Sequence, residues 1–287
     1  MSNDAEIWFK DENNVPYGVK HLRNMPMVVA KDFNIAVAAG EVSGHMGVNK
    51  YGRNIQIQNG ITADIWDGGH HLASGGDSLI WLAPTAARIH QLASSDANDT
   101  ILGDGARTVR ISGLPDWDTA EISETIEMNG TTDVPTTNAY VIIHRMEVIT
   151  WGDTPPNVGT IKATADTDGT VTSRIRAGQG QTQMAIYGIP SIQTAYLGRL
   201  YGNYNKGGGS TGVADCDLCV NTRPDEEITG FVTKHTFGFV GAGTSARSIQ
   251  FWIPKIFVGP TIMKVQIRSG TNSTDMTAGF DLMVVDN

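Results

Sequence analysis

Seven histidines, two cysteines and thirty acidic residues are the groups in this 287-residue chain that could do chemistry. The cysteines stand in Cys216-Asp217-Leu218-Cys219, a spacing used by redox pairs and by half of a zinc site. Residues 213–220 read as a strand, however, and positions three apart on a strand point to opposite faces. Cys216 then joins Ala214, Leu218 and Val220, while Cys219 joins Asp215 and Asp217. No second cysteine pair exists to complete a zinc site, so both cysteines read as structural. The histidines give no metal spacing. His70 and His71 are adjacent, while His45, His90, His144 and His235 are scattered, and no HExxH occurs. Residues 94–104 (SSDANDTILGD) offer Asp96, Asn98, Asp99 and Asp104, oxygen ligands of the kind calcium uses. The stretch lacks the EF-hand pattern and its terminal Glu, and reads as a solvated turn. Asp166 and Asp168 in DTDG read the same way. The glycine-rich turns at 103–105 and 178–181 lack a strand–GxxxxGK–helix setting, and no GxSxG elbow occurs. Glu124 and Glu127 fall on opposite faces of one strand and make a poor catalytic pair. No catalytic, cofactor or metal residue is assigned, and the chain reads as non-enzymatic. The candidates for sugar stacking are Trp117 and Tyr204, with Tyr187, Tyr196 and Tyr201. By parity Tyr196, Leu200 and Tyr204 share one strand face, for which packing is the commoner use.

The elements that must hold these residues are strands. Residues 108–111 alternate Thr, Val, Arg, Ile, and 122–128 place Ile122, Ile126 and Met128 on one face against Ser123, Thr125 and Glu127. Asn129-Gly130 is a hairpin signal. The run 139–151 is apolar enough at Tyr140–Ile143 to be buried on both faces. Further strands are expected near 160–163, 171–175, 183–189, 194–204, 213–220, 230–240, 248–253, 262–268 and 279–285. Between them stand Gly, Pro, Asn and Asp turns, including the glycine tip 207–210. Pro254 and Pro260 mark the segment between them as an edge or connection. The fold class is all-β: an antiparallel β-sandwich or jelly-roll-like body, as one β domain or two, with an extended N-terminal arm. The expected divisions are an arm over 1–75, a first β domain over 76–153 and a C-terminal sandwich over 154–287, with Asp153-Thr154-Pro155-Pro156 as the internal boundary. In the arm, short apolar clusters at 25–30 and 35–39 precede GEVSGHMGVNKYGRN at 40–54, and Trp66 with the Asp67-Gly68-Gly69 turn closes it. Such a stretch reads as needing a neighbouring subunit to order it.

A net charge of -9 argues against wrapping nucleic acid, which requires many Lys and Arg phosphate contacts. The small basic clusters Lys20, His21, Arg23 and Arg107, Arg110 read as solvated surface. No apolar run approaches the ~20 residues of a membrane span. The start, MSNDAE, lacks the basic and apolar regions of a signal peptide, so assembly in a cytosol is expected.

Several segments, in order, carry a resemblance. GEVSGHMGVNKYGRN (40–54) is followed by DIWDGG (64–69), SSDANDT with GDGARTVRISGL (94–114), NGTTDVPTTNAYVIIHR (129–145), AGQGQTQMAIYGIP with TAYL (177–197) and TAGFDLMVVDN (277–287). Together they resemble uncharacterised virion structural proteins of marine tailed bacteriophages. The resemblance covers most of the chain beyond residue 35. It implies a structural role in a virion assembled in the host cytoplasm, with no cofactor and no catalytic residues to carry over. The Cys-Asp-Leu-Cys run departs from the cysteine-free strand expected there. Combined with the β-rich reading, it makes the first expectation a capsid decoration or cement protein. That protein would be a homotrimer whose partners are its own copies and the major capsid protein or other virion proteins. The candidate assembly arm contains Gly40, Val42, His45, Tyr51, Arg53 and Trp66. The alternative is a tail or head-fibre module binding a host-surface receptor or glycan through Trp117 and Tyr204.

Overall fold

The computed structural model describes residues 7–10, 16–19, 32–66, 68, 79–154, 156–206, 211–242 and 244–287. The run 25–30, the cluster Lys20, His21 and Arg23, His70 and His71, Asp67 and Gly69, Pro155 and the tip 207–210 lie outside the described residues. The chain divides into two compact units, residues 1–41 and 42–287.

The first unit holds an antiparallel pair, β1 (Ile7–Lys10) and β2 (Pro16–Val19), and one short helix, α1 (Phe33–Ala38). The apolar cluster at 35–39, expected to be extended, is this helix. Asp32 caps it by accepting from the Asn34 N–H at 2.9 Å. Gly40, at φ +71°, takes the left-handed turn that stops it.

The second unit is built of strands. In chain order they are β3 (His45–Ile57), β4 (Thr62–Asp64), β5 (His90–Ser94), β6 (Ala106–Leu114), β7 (Ile122–Glu127), β8 (Val134–Pro135) and β9 (Ile142–Trp151). After them come β10 (Ile161–Ala165), β11 (Val171–Ile175), β12 (Ile186–Ile189), β13 (Gln193–Lys206) and β14 (Thr211–Asn221). The series ends with β15 (Val232–Ala242), β16 (Thr244–Val258), β17 (Thr261–Ser269) and β18 (Thr274–Asp286). The all-β expectation holds.

Two sheets, β12-β17-β14-β15 (with β4 added on β17) and β16-β13-β18-β3, enclose the largest core. Alternation along each strand drives this. On β18, Met276, Ala278, Phe280, Leu282 and Val284 turn inward while their neighbours do not. Sheets β11-β10-β5-β8 and β7-β6-β9 contribute to a second core with Leu92, Val109, Ile111, Tyr140, Met146 and Ile161. A third apolar cluster, around Trp66, Trp81, Leu114, Ile142 and Ile186, draws residues from strands of both sets.

This arrangement corrects the expected divisions. Residues 40–54 are not an arm: β3 pairs with β18 from His45↔Val285 to Thr274↔Ile57. Nor does the chain break at 153. Strand β10, beyond that point, pairs with β5, before it, from Ile161↔Ser94 to Ala165↔His90. The main sandwich is discontinuous in sequence, with the strands of the second core inserted between β4 and β12. The Asn129-Gly130 signal makes a turn with Gly130 at φ +63°, but not a hairpin between neighbours. Among the described residues strand β7 pairs only with β6, and Gly130 instead bonds Asp99 and Ser94.

Candidate functional site

The inward face of β3 carries Lys50, Gly52 and Asn54, all buried. At Gly52 an added Cβ would lie 2.4 Å from the carbonyl oxygen of Gln183, so only glycine permits this close backbone approach. Beside it Lys50 crosses to β9, where its Nζ donates to the backbone oxygen of His144. Met46, Asn49, Tyr51, Arg110, Arg145 and Gln181 border a cleft of about 530 Å³ whose walls include Lys50, Glu121, His144 and Tyr187. His144 Nε2 lies 2.8 Å from Glu121 Oε2, and its ring rests on Tyr187 at 4.6 Å between centroids.

Burial pushes Lys50 down to about 7, with Arg145 adding to the effect and Glu121 opposing it. Burial also lowers His144, against the pull of Glu121. For Glu121 burial acts upward, but His144, Lys50 and Arg145 together bring it below the usual range. The Glu121–His144 contact has the geometry of an ion pair, yet a lowered His144 is neutral at pH 7. The contact is then a hydrogen bond in which Nε2–H donates to the carboxylate. That tautomer leaves Nδ1 as the basic nitrogen, and Nδ1 is buried with no hydrogen-bond partner among the described residues. A general base must reach the proton it removes. This imidazole is oriented by its carboxylate, but its basic nitrogen is sealed away from the cleft's solvent. The geometry serves the seam between β3 and β9 rather than proton transfer.

A pH dependence follows. Between the folded value of Lys50, about 7, and its unfolded value of 10.5, the unfolded chain binds a proton that the folded chain does not. Stability therefore rises with pH across that window, on the order of 1 kcal/mol per pH unit. Replacing Lys50 by Met is expected to flatten this rise. Urea denaturation at pH 7 and pH 9 checks it, and an unchanged slope in Lys50→Met would refute the assignment.

The expected arm residues are mostly body residues. Gly40 ends the helix of the first unit. Val42 is half-buried at the start of the second. His45 opens β3, with Nδ1 3.0 Å from the Ser43 oxygen. Tyr51 accepts from Gln181 Nε2, and Arg53 pairs with Asp275 at 3.1 Å. Trp66 is fully buried, with the Arg174 guanidinium 5.2 Å from its ring centroid.

The exposed-aromatic expectation is also corrected. Tyr204 is fully buried and stacks on Phe239 at 6.3 Å. Trp117 is half-buried against the third cluster, beside a groove of about 390 Å³ that includes Pro84, Pro224 and Ile228. Tyr196 does not share the face of Leu200 and Tyr204, because the register of β13 shifts between Leu197 and Arg199 and resets the parity. The cysteines follow the alternation expected of them. Cys216 lies in the main core with Ala214, Leu218 and Val220, while Cys219 is buried outside it, near the Thr233 hydroxyl.

The loop at 94–104 is not simply solvated. Asp99 is fully buried. Its Oδ1 accepts from the N–H groups of Ala106 and Val158, both at 2.8 Å. Its Oδ2 accepts from the Ser94 hydroxyl at 2.5 Å and the Gly159 N–H at 2.8 Å. With four donors already on it, this carboxyl ties the loop to the β9–β10 connection. Asp168 likewise accepts from the Thr85 N–H at 2.8 Å and pairs with Arg88 at 3.1 Å. Among the described residues, no group of three or more His, Cys, Asp or Glu could hold a metal ion. No helix among them is long and apolar enough to cross a membrane.

Sequence reasoning missed the most exposed aromatic side chain among the described residues. Trp252 is 98% exposed and Ile253 86%, on the edge strand β16. The available signal was the run Phe251-Trp252-Ile253-Pro254, apolar and closed by a proline that suits an edge.

No protein-family model and no curated protein matches the chain. Among solved structures, the chain is similar to that of infectious bursal disease virus Gt strain at 11% identity, with a TM-score of 0.21. The match covers 85% of this chain and 73% of that one. The Gx strain matches at 8% identity and TM-score 0.22, over 84% and 72%. The T=1 particles derived from the same virus match at 9% and 0.21, over 85% and 70%.

Proposed function

We propose that this chain is a non-enzymatic structural protein of a virus particle, a capsid decoration or cement protein that works as a symmetric homo-oligomer. One contrast supports the reading. The buried titratable groups Lys50, Asp64, Asp99, His144 and Lys264 hold β-elements and their loops together. Asp64 and Lys264, for example, form a buried pair at 2.7 Å across β4 and β17. A group of exposed apolar side chains instead lies on one sheet edge, at Trp252, Ile253, Ile256 and Val258. A soluble monomer rarely presents such an edge, and natural sheets blunt theirs. The segment resemblance to phage virion proteins supports the same role. Because β3 belongs to the body, any anchoring arm is confined to residues 1–41.

Cryo-electron microscopy of the intact particle tests this. Density for the chain on the icosahedral shell, in symmetric clusters, is the expected result. Density only at the tail or on a distal fibre would replace decoration with adsorption to a host-surface glycan. Purified particles lacking the chain would overturn the structural role altogether.

A further inference from the structure

We propose that the outer edge of the main sandwich is the contact between copies of this chain, with the Trp252–Ile253 knob of one copy seated in the groove beside Ile256 and Val258 of another. This deepens the structural reading above and rests on it.

The knob arises from the register. Strand β13 passes from Leu197 through Gly198 to Arg199, while β16 passes from Lys255 back to Gln250. Four residues, Phe251 to Pro254, therefore oppose one glycine. Phe251 packs on the main core and meets the His235 ring edge-on at 5.3 Å. The Lys255 Nζ stands 5.5 Å from the Phe251 ring centroid and donates to the Lys234 oxygen at 3.1 Å. With Phe251 and Lys255 fixed inward, Trp252 and Ile253 are thrust into solvent.

The groove lies next to the knob. It measures about 630 Å³ and is bordered by Thr222, Lys234, Lys255, Ile256, Val258 and Gly259. Ile256 and Val258 are each 59% exposed. An indole fits such a space.

Two observations select a second copy as the occupant. The first is area. Trp252, Ile253, Ile256 and Val258, 98, 86, 59 and 59% exposed, together present on the order of 600 Å² of largely apolar surface, most of the ~800 Å² that each partner of a stable interface buries. A protruding aromatic beside a matching recess is the usual form of an interface hot spot. The second is that knob and groove sit on one strand, a few residues apart, so symmetric copies satisfy both at once. Charge adds a signature. Residues 244–258 contain no acid, only Arg247 and Lys255, and Lys234 lies alongside. Copies meeting here bring like charges together, so salt should tighten the contact by screening them. An acidic partner would show the opposite dependence.

Sedimentation velocity of the full chain, at low and high salt, is the test, with Trp252→Ala and Ile253→Ser as variants. Both side chains are almost fully exposed, so unchanged thermal unfolding is expected of each variant. The expected result is a wild-type species of two or three chains that tightens with salt, and a dissociation constant at least tenfold weaker in Trp252→Ala. A photo-crosslinker at position 252 should attach to Thr222 or to residues 256–259 of another copy. A monomeric wild type, unweakened association in both variants, association that loosens with salt, or crosslinks elsewhere would overturn the edge assignment. If the variants still enter particles as the wild type does, the edge assignment fails while the virion role stands. If the wild type is absent from particles, that role fails whatever its association state.

Discussion

A chain lacking its first 54 residues is expected not to fold, whereas one lacking its first 41 should unfold cooperatively. The shorter deletion removes the separate first unit and stops before Val42. The longer one removes most of β3. Its partner β18 then loses the pairing from His45↔Val285 to Met276↔Asn54. The 2.8 Å bond from the Asn54 side chain to the Asp64 oxygen goes with it, as does the Lys50 bond to His144. At ~1 kcal/mol per backbone hydrogen bond, plus the opened edge of the main core, the loss is on the order of 10 kcal/mol. That is comparable with the whole net stability of a domain, about 5–15 kcal/mol. Near-ultraviolet circular dichroism and thermal melting of the two truncations decide the matter. Melting midpoints within a few degrees of each other would show that β3 is dispensable.

The second large effect is expected at Asp99. Replacing it by Ala would leave three backbone N–H groups and the Ser94 hydroxyl without their acceptor in a buried site. A buried donor without an acceptor costs about 1–3 kcal/mol, and relaxation of the loop recovers part of the sum. A loss of roughly 3–5 kcal/mol is expected, a large share of the ~5–15 kcal/mol net stability of a domain. Asp99→Asn should be less harmful, because the Ser94 hydroxyl can turn to accept from the new amide NH2 and only the Gly159 N–H is left facing a donor. Neighbouring Gly105 allows no larger side chain, since an added Cβ would lie 2.1 Å from Asp99 Oδ1. Urea midpoints measure both variants. A loss below about 1 kcal/mol in Asp99→Ala would mean that water takes over the acceptor role.

Much of the strand series was legible because alternation is a local signal. Residues 108–111, 122–128 and 213–220 show their faces in the sequence: β6 and β14 bury the residues indicated, Ile126 on β7 and Met128 just after it are buried, and Ile122 packs part-buried on the second core. What failed was non-local. Residues 40–54 look like an arm because glycine, asparagine and lysine dilute the apolar pattern, yet Gly52 is there for a close approach to Gln183 and Lys50 for a carbonyl on another sheet. Tyr204 and Tyr196 were assigned to one face because parity counting assumes an unbroken ladder, and the shift at Gly198 breaks it. The Glu121–His144–Lys50 cluster joins β3 and β9 to the loop before β7, and no spacing in the sequence announces it. Asp99 looked solvated because loop composition does not reveal which carboxylates face inward.

The discontinuity of the main sandwich bears on how the chain is made. Asn49 on β3 bonds Asp281 on β18, 232 positions further along. Domains begin to fold as they leave the ribosome, N-terminal parts first. Here the earliest strand of the large sandwich emerges long before β18, its neighbour among the described strands, exists. The inserted strands around the second core, β5 to β11, are all synthesised in between and can close on one another while β3 waits. Strand β18, the partner of β3, therefore completes the large sandwich. Until β18 emerges, the nascent protein carries an open edge at β3, a period in which premature contact between neighbouring nascent chains would be most damaging.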